Sequence, residues 1–320
     1  MEVEAASNLR PIAIFVGYMI TAACLTWLCI SGVRRGASRA KRPANVFLFA
    51  SLSASSLATT WYHMFRFFAW SYHQWELSSP LSLTHDELYL GLWLRDTSLF
   101  KQAWVSTLET PPRAWWSMQI FGFCALFSVM LAVQKDRRRL PYPWAFMLLG
   151  QLVAISFASN LFFLTVLYRD AAPTPRTELT RAGGNSRKRW FSLQTAYHAL
   201  IVLQISIAIA IPRSAHTTGF LRLLLLPHIL AFAPLLLHAV WSFGKSSPQS
   251  RGPPLSSYIS ALSLVALLCA ATAPLLGKGA SMQSVIATLN EHPAVSSVGW
   301  DVICCWVSYT TWAICGGELL

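Results

Sequence analysis

Charge is scarce in this sequence. Asp, Glu, Lys and Arg together make up 12% of its 320 residues, and 54% are hydrophobic. A soluble domain carries about 25% charged residues, so the composition excludes an ordinary soluble protein and points to an integral membrane one. Acid is scarcer than base, with 13 Asp and Glu against 25 Lys and Arg, net charge +12. The basic residues sit in loops between apolar runs, with no aromatic-interleaved basic block in a soluble segment. That pattern fits orientation by the positive-inside rule and argues against a nucleic-acid partner. Seven cysteines lie inside apolar runs, and none forms a CxxC pair. Neither a disulfide framework nor a zinc site is expected. HExxH, GxSxG, a P-loop, a Gly-rich nucleotide turn and a DDxxD-type cluster are all missing. The last absence argues against a prenyltransferase or another enzyme that binds diphosphate through magnesium.

A spanning helix needs about 20 largely apolar residues. Eight runs qualify, near 12–33, 45–72, 114–134, 143–168, 190–212, 220–243, 255–277 and 294–315. The expectation is one all-α domain over residues 1–320, a polytopic integral membrane helical bundle of about eight transmembrane helices. The first run is too long for a signal-peptide core. Arg34, Arg35, Arg39, Lys41 and Arg42 mark the first loop as cytoplasmic, and Lys135, Arg137, Arg138 and Arg139 mark the third. The loop after the fourth run disagrees. It carries Arg169, Arg176, Arg181, Arg187, Lys188 and Arg189, yet parity puts it across the membrane. Either it translocates against the rule or the helix count is off by one. Composition marks 169–189 as disordered. The connector 76–112 holds an amphipathic pattern, Leu90, Trp93, Leu94, Thr97, Phe100 and Trp104, read as one interfacial helix over 84–108.

Asp301 is the residue that stands out. It lies inside the apolar stretch HPAVSSVGWDVICCWVSYTT (292–311), beside Trp300, with no basic residue nearby in sequence. A carboxylate at membrane depth costs about 2.5–3.5 kcal/mol on insertion scales. Two readings stand: a headgroup-level acid that stabilises a helix dipole, or a buried acid kept protonated by a dry site and able to donate a proton. Asp96 and Glu109, at the ends of the connector helix, are the next candidate acids. In the second run, Trp61, Phe65, Phe68, Tyr72 and Trp75 follow a spacing of four, three, four and three. They form one stripe, read either as lipid contact or as an aromatic wall around a cation. His63 and Arg66 share that helix, and Arg66 is expected to snorkel or to pair with a carboxylate such as Asp96 or Glu76, the alternative being to anchor an anionic headgroup or a polar group of a substrate. Gln151 and Asn160, nine residues apart, fall on opposite faces of a straight helix, with Asn160 the better pocket candidate. Among His63, His198, His228 and His238 no spacing singles out a haem-ligating pair.

The segments TTWYHMFRFFAWSY, WLRDTSLFKQAW, PPRAWWSMQIF, WAFMLLGQLVAISFASNLFFL and SSVGWDVI together resemble fungal membrane-bound terpene cyclases of meroterpenoid pathways, of the ascofuranone and macrophorin type. The likeness covers roughly residues 45–170 and 294–305. It implies a cofactor-independent isomerase of secondary metabolism. Such an enzyme protonates an epoxide or alkene on a farnesyl chain carried by an aromatic or quinoid ring, and then steers a carbocation. Its partners would be a lipophilic prenylated substrate and the bilayer, and its place the endoplasmic reticulum membrane. The alternatives from other classes are a membrane transporter, or a non-catalytic polytopic membrane protein of a biosynthetic pathway.

Overall fold

The computed structural model describes residues 9–35, 43–79, 89–169, 184–242 and 281–315. Among these residues the regular structure is entirely helical. The helices are α1 (Leu9–Arg34), α2 (Pro43–Ser78), α3 (Leu90–Asp96), α4 (Leu99–Leu108), α5 (Pro111–Arg137), α6 (Pro143–Leu152), α7 (Ile155–Leu167), α8 (Gly184–Ala210), α9 (Phe220–Leu230), α10 (Ala233–Ser242), α11 (Met282–Thr288) and α12 (Pro293–Cys315). The expected run 255–277 lies outside the described residues.

Among the described residues, three helical stretches are long and apolar enough to cross a membrane: Leu9–Arg34, Pro111–Lys135 and Thr195–Ser214. The pair α9–α10, bent by 42°, makes a fourth if taken as one span. These stretches differ in surroundings. Most of α1 is exposed, whereas α5 is almost wholly enclosed by other helices. At the centre, α12 lies against α2, α5, α7 and α4. The face α2 turns inward is Phe49, Ser53, Ser56, Thr60, His63, Phe67, Ser71 and Trp75. Small hydroxyl residues dominate it, because without a hydrophobic driving force helices associate where backbones can come close. The aromatic stripe therefore flanks this seam. Phe65 is 47% exposed, Phe68 meets Phe15 of α1 edge-on, and Phe68 and Tyr72 pack against Trp93.

The fourth apolar run is not one helix. It breaks at Val153–Ala154, and α6 and α7 fold back on each other as a hairpin. The two ends of this segment meet: an Arg138 guanidinium N–H donates to the Arg169 carbonyl (2.6 Å), and one from Arg169 donates to the Arg139 carbonyl (2.8 Å). The tip reaches the middle of α1, where the Tyr18 hydroxyl donates to the Leu152 carbonyl (2.8 Å). Arg169 consequently lies at the same end of the bundle as Arg35 and Arg139. That removes the charge-parity conflict: the count fails at this run, and the loop after it need not cross.

Two other expectations are corrected. The connector is two short helices, separated at Thr97–Ser98, with Trp93 buried and Phe100 half exposed, because Trp93 turns inward to donate to the Ser71 hydroxyl (3.2 Å). The segment 169–189, read as disordered, has its last residues in α8, which starts at Gly184, while 170–183 lie outside the described residues.

Candidate functional site around Asp301

Two turns into α12, Asp301 faces the break between α6 and α7. An α-helix begins with four backbone N–H groups that have no intrahelical partner. In α7 the N-cap position is Ala154, whose side chain cannot help. Asp301 supplies the missing acceptors from another helix. The Ile155 N–H donates to its Oδ2 (3.0 Å) and the Ser156 N–H to its Oδ1 (2.9 Å). The side chain is 7% exposed, the one buried carboxylate among the described residues, and no described cation pairs with it. The dipole of α7 presents its positive end here.

Asn160 continues the polar seam. Its amide N–H₂ donates to the Ser156 carbonyl and the Ser308 hydroxyl, each at 2.9 Å, with Ser56 Oγ further away at 3.4 Å. Its Oδ1 is buried without a partner among the described residues. Gln151 turns away from this seam, its amide donating to the His228 carbonyl (3.0 Å). The hairpin break lies between the two residues, so the straight-helix geometry expected of them does not apply. Beyond Asn160 the seam closes into packed rings. Phe163 stacks on Trp312 (4.5 Å between centroids) and meets Tyr309 edge-on (5.3 Å), with Phe49 and Phe123 alongside.

The other candidate acids lie in different surroundings. Asp96 is 37% exposed and takes hydrogen bonds from Arg95 Nε (2.8 Å) and the Trp75 indole (3.3 Å). The Arg95 bond holds its carboxyl below the usual range. Glu109 is 58% exposed and bonded to Arg113 (2.6 Å). Neither is shielded from water. Arg113, 12% exposed, also grips Glu291 (2.6 Å), tying α5 to the turn before α12. Arg66 is exposed and lies over the Tyr62 ring, while Asp96, its expected partner, pairs with Arg95. His63 is buried on the inward face of α2, and its Nδ1 has no partner among the described residues. Trp61 and Trp300 are half-buried.

Sequence reading missed His292. Its Nδ1 accepts the Ala294 N–H (3.1 Å), so the neutral ring carries its proton on Nε2. The ring stands edge-on to Trp70 at 4.3 Å. Its position just before a proline-started helix is the signal that could have marked it as a cap. Two helix histidines are held by hydrogen bonds, His238 across to the Tyr197 hydroxyl of α8 and His228 to the Leu224 carbonyl one turn back. Comparison of the chain with protein-family models, with curated proteins and with solved structures finds no match.

Proposed function

We propose that this chain is a multi-pass membrane enzyme, a cofactor-independent terpene cyclase acting on the farnesyl chain of a prenylated aromatic substrate. One observation carries the reading: a buried carboxyl group faces two backbone N–H donors fixed at the start of α7. An acid that protonates an epoxide or alkene leaves a carboxylate behind, and here that carboxylate finds its hydrogen bonds already in place. Preorganised donors of this kind require no reorganisation at the moment of transfer. The proton passes from the Asp301 carboxyl to the terminal epoxide oxygen or alkene carbon, and the cation forms on the prenyl chain. The last proton lost from the cyclised cation restores the acid, so reactant and product have the same mass. Asn160 Oδ1 and Tyr309 supply further polar groups on the same seam. This reading takes 143–168 as a hairpin and sets the chain in the endoplasmic reticulum membrane.

A non-catalytic reading is favoured by the same hydrogen bonds, because Asp301 would be retained as the cap of α7 alone. Microsomes containing the protein, incubated with a farnesylated phenol, separate the two. A product of unchanged mass and altered retention is the expected result. Recovery of the substrate unchanged sinks the cyclase, and its chemically unaltered accumulation inside sealed vesicles identifies a carrier instead.

A further inference from the structure

We propose that the arginine cluster at the shared end of α1, α5 and α7 binds the phosphate of an anionic phospholipid, with Arg35, Arg139 and Arg169 as its ligands. These residues are 30 or more apart in sequence, yet the hairpin brings them together. Arg169 sits between the other two elements. It donates to the Arg139 carbonyl (2.8 Å) and accepts from Arg138 at its own carbonyl (2.6 Å). Arg35 donates to the Tyr142 hydroxyl (3.2 Å) and lies over the Tyr142 ring. Burial, and then the nearby charge of Arg35, lower the pKa of Arg169. Arg35, Arg139 and Arg169 form no ion pair with a described residue. The Nε–H of Arg169 is buried and has no partner among the described residues. A buried guanidinium N–H without an acceptor is costly, and a phosphate oxygen is the acceptor that its fork fits.

The backbone adds an independent sign. Arg139 (φ 47°) and Tyr142 (φ 52°) are both in the left-handed region. Neither is glycine or asparagine, so each conformation is strained, and strain of this kind concentrates at ligand clamps. The turn thereby carries Arg139 and Tyr142 to the same place as Arg35 and Arg169. The α1 surface beside the cluster argues for a lipid rather than a soluble phosphate. Ile14, Ile20 and Trp27 are exposed on it, and Arg34 lies over the Trp27 ring. Exposed tryptophan is favoured at headgroup level, so an acyl chain can lie along α1 while its phosphate enters the arginines. Cytoplasmic leaflets, where basic loops reside, are rich in anionic lipid.

The test uses the full chain purified in neutral detergent and transferred to nanodiscs of phosphatidylcholine with or without phosphatidylglycerol. Thermal melting is followed, and retained lipid is counted by native mass spectrometry. Phosphatidylglycerol should raise the melting temperature and be retained in preference to phosphatidylcholine. Arg35→Gln and Arg139→Gln should each cut that retention by about tenfold. Lys101→Gln, at an exposed position of α4, should leave it unchanged. Arg169→Gln also removes a bond to the Arg139 carbonyl, so the exposed Arg35 and Arg139 carry the test. Equal retention of both lipids, equal retention by the Gln variants, or the same melting shift from inorganic phosphate in detergent would each overturn the proposal.

Discussion

At the scale of single residues, Asp301 answers to two masters, and the substitution that tests it must separate them. Asp301→Asn keeps an acceptor for one α7 amide but turns an N–H₂ toward the other. Leaving a buried N–H without an acceptor costs about 1–3 kcal/mol, so the variant should melt at a lower temperature than the wild type. Activity must then be compared per folded molecule. General acid catalysis contributes roughly 10²–10⁴-fold; a fall of less than tenfold in cyclised product would put the proton donor elsewhere. Asp301 was legible in the sequence as a misplaced charge. Its partners were not, because they are backbone amides 145 and 146 residues away and amides leave no trace in residue identity. Glu291 makes a second prediction. Its hydrogen bond from Arg113 holds it below the ordinary value of 4.5. A depressed carboxyl stabilises the fold above its unfolded pKa, and the gain is lost as pH falls through the lower folded value. The melting advantage of wild type over Glu291→Gln should hold at pH above 4.5 and shrink steadily below it; an advantage that grows on acidification would contradict the pairing.

At the scale of elements, the α6–α7 hairpin changes the topology most. In a cysteine-free background, Arg139→Cys and Arg169→Cys should react with a membrane-impermeant maleimide from the same side as Arg35→Cys. Glu291→Cys should react from the opposite side. Labelling of Arg169→Cys from the Glu291 side would restore a straight span. The break was hidden because WAFMLLGQLVAISFASNLFFL is continuously apolar, with neither Pro nor Gly at Val153–Ala154. What caps the restart at α7 is an acceptor pair delivered by α12, not a local signal. The faces of α2 were misleading for a related reason. Rings at helical spacing resemble a core stripe, but close approach of α2 to α12 selects Ser56 and Thr60 on the inward side. The rings that do pack centrally, Phe49, Phe163 and Trp312, come from three separate helices. Phe163→Ala should cost about 3–5 kcal/mol, read as loss of a sharp melting transition in detergent; a shift too small to measure would mean the ring cluster is loosely packed.

At the scale of the whole molecule, the sequence made the helical class and the positions of most helices legible, since apolar length and basic loops are local signals. How those helices share a core was not local. The very apolar α5 is enclosed by protein and the equally apolar α1 is mostly exposed, and hydropathy cannot tell these fates apart. Alkaline carbonate extraction should leave the chain in the membrane pellet, and its release to the supernatant would count against any crossing helix. The distance between Asp301 and its amides also has a temporal meaning. A ribosome adding about 5–20 residues per second needs roughly 7–30 s to pass from the hairpin to its cap. Throughout that interval the first turn of α7 has unpaired amides. The nascent hairpin must therefore wait at the membrane surface, or in the insertion machinery, until the last helix arrives. A chain that stops short of residue 301 lacks the cap of α7 and should be degraded faster than the full chain.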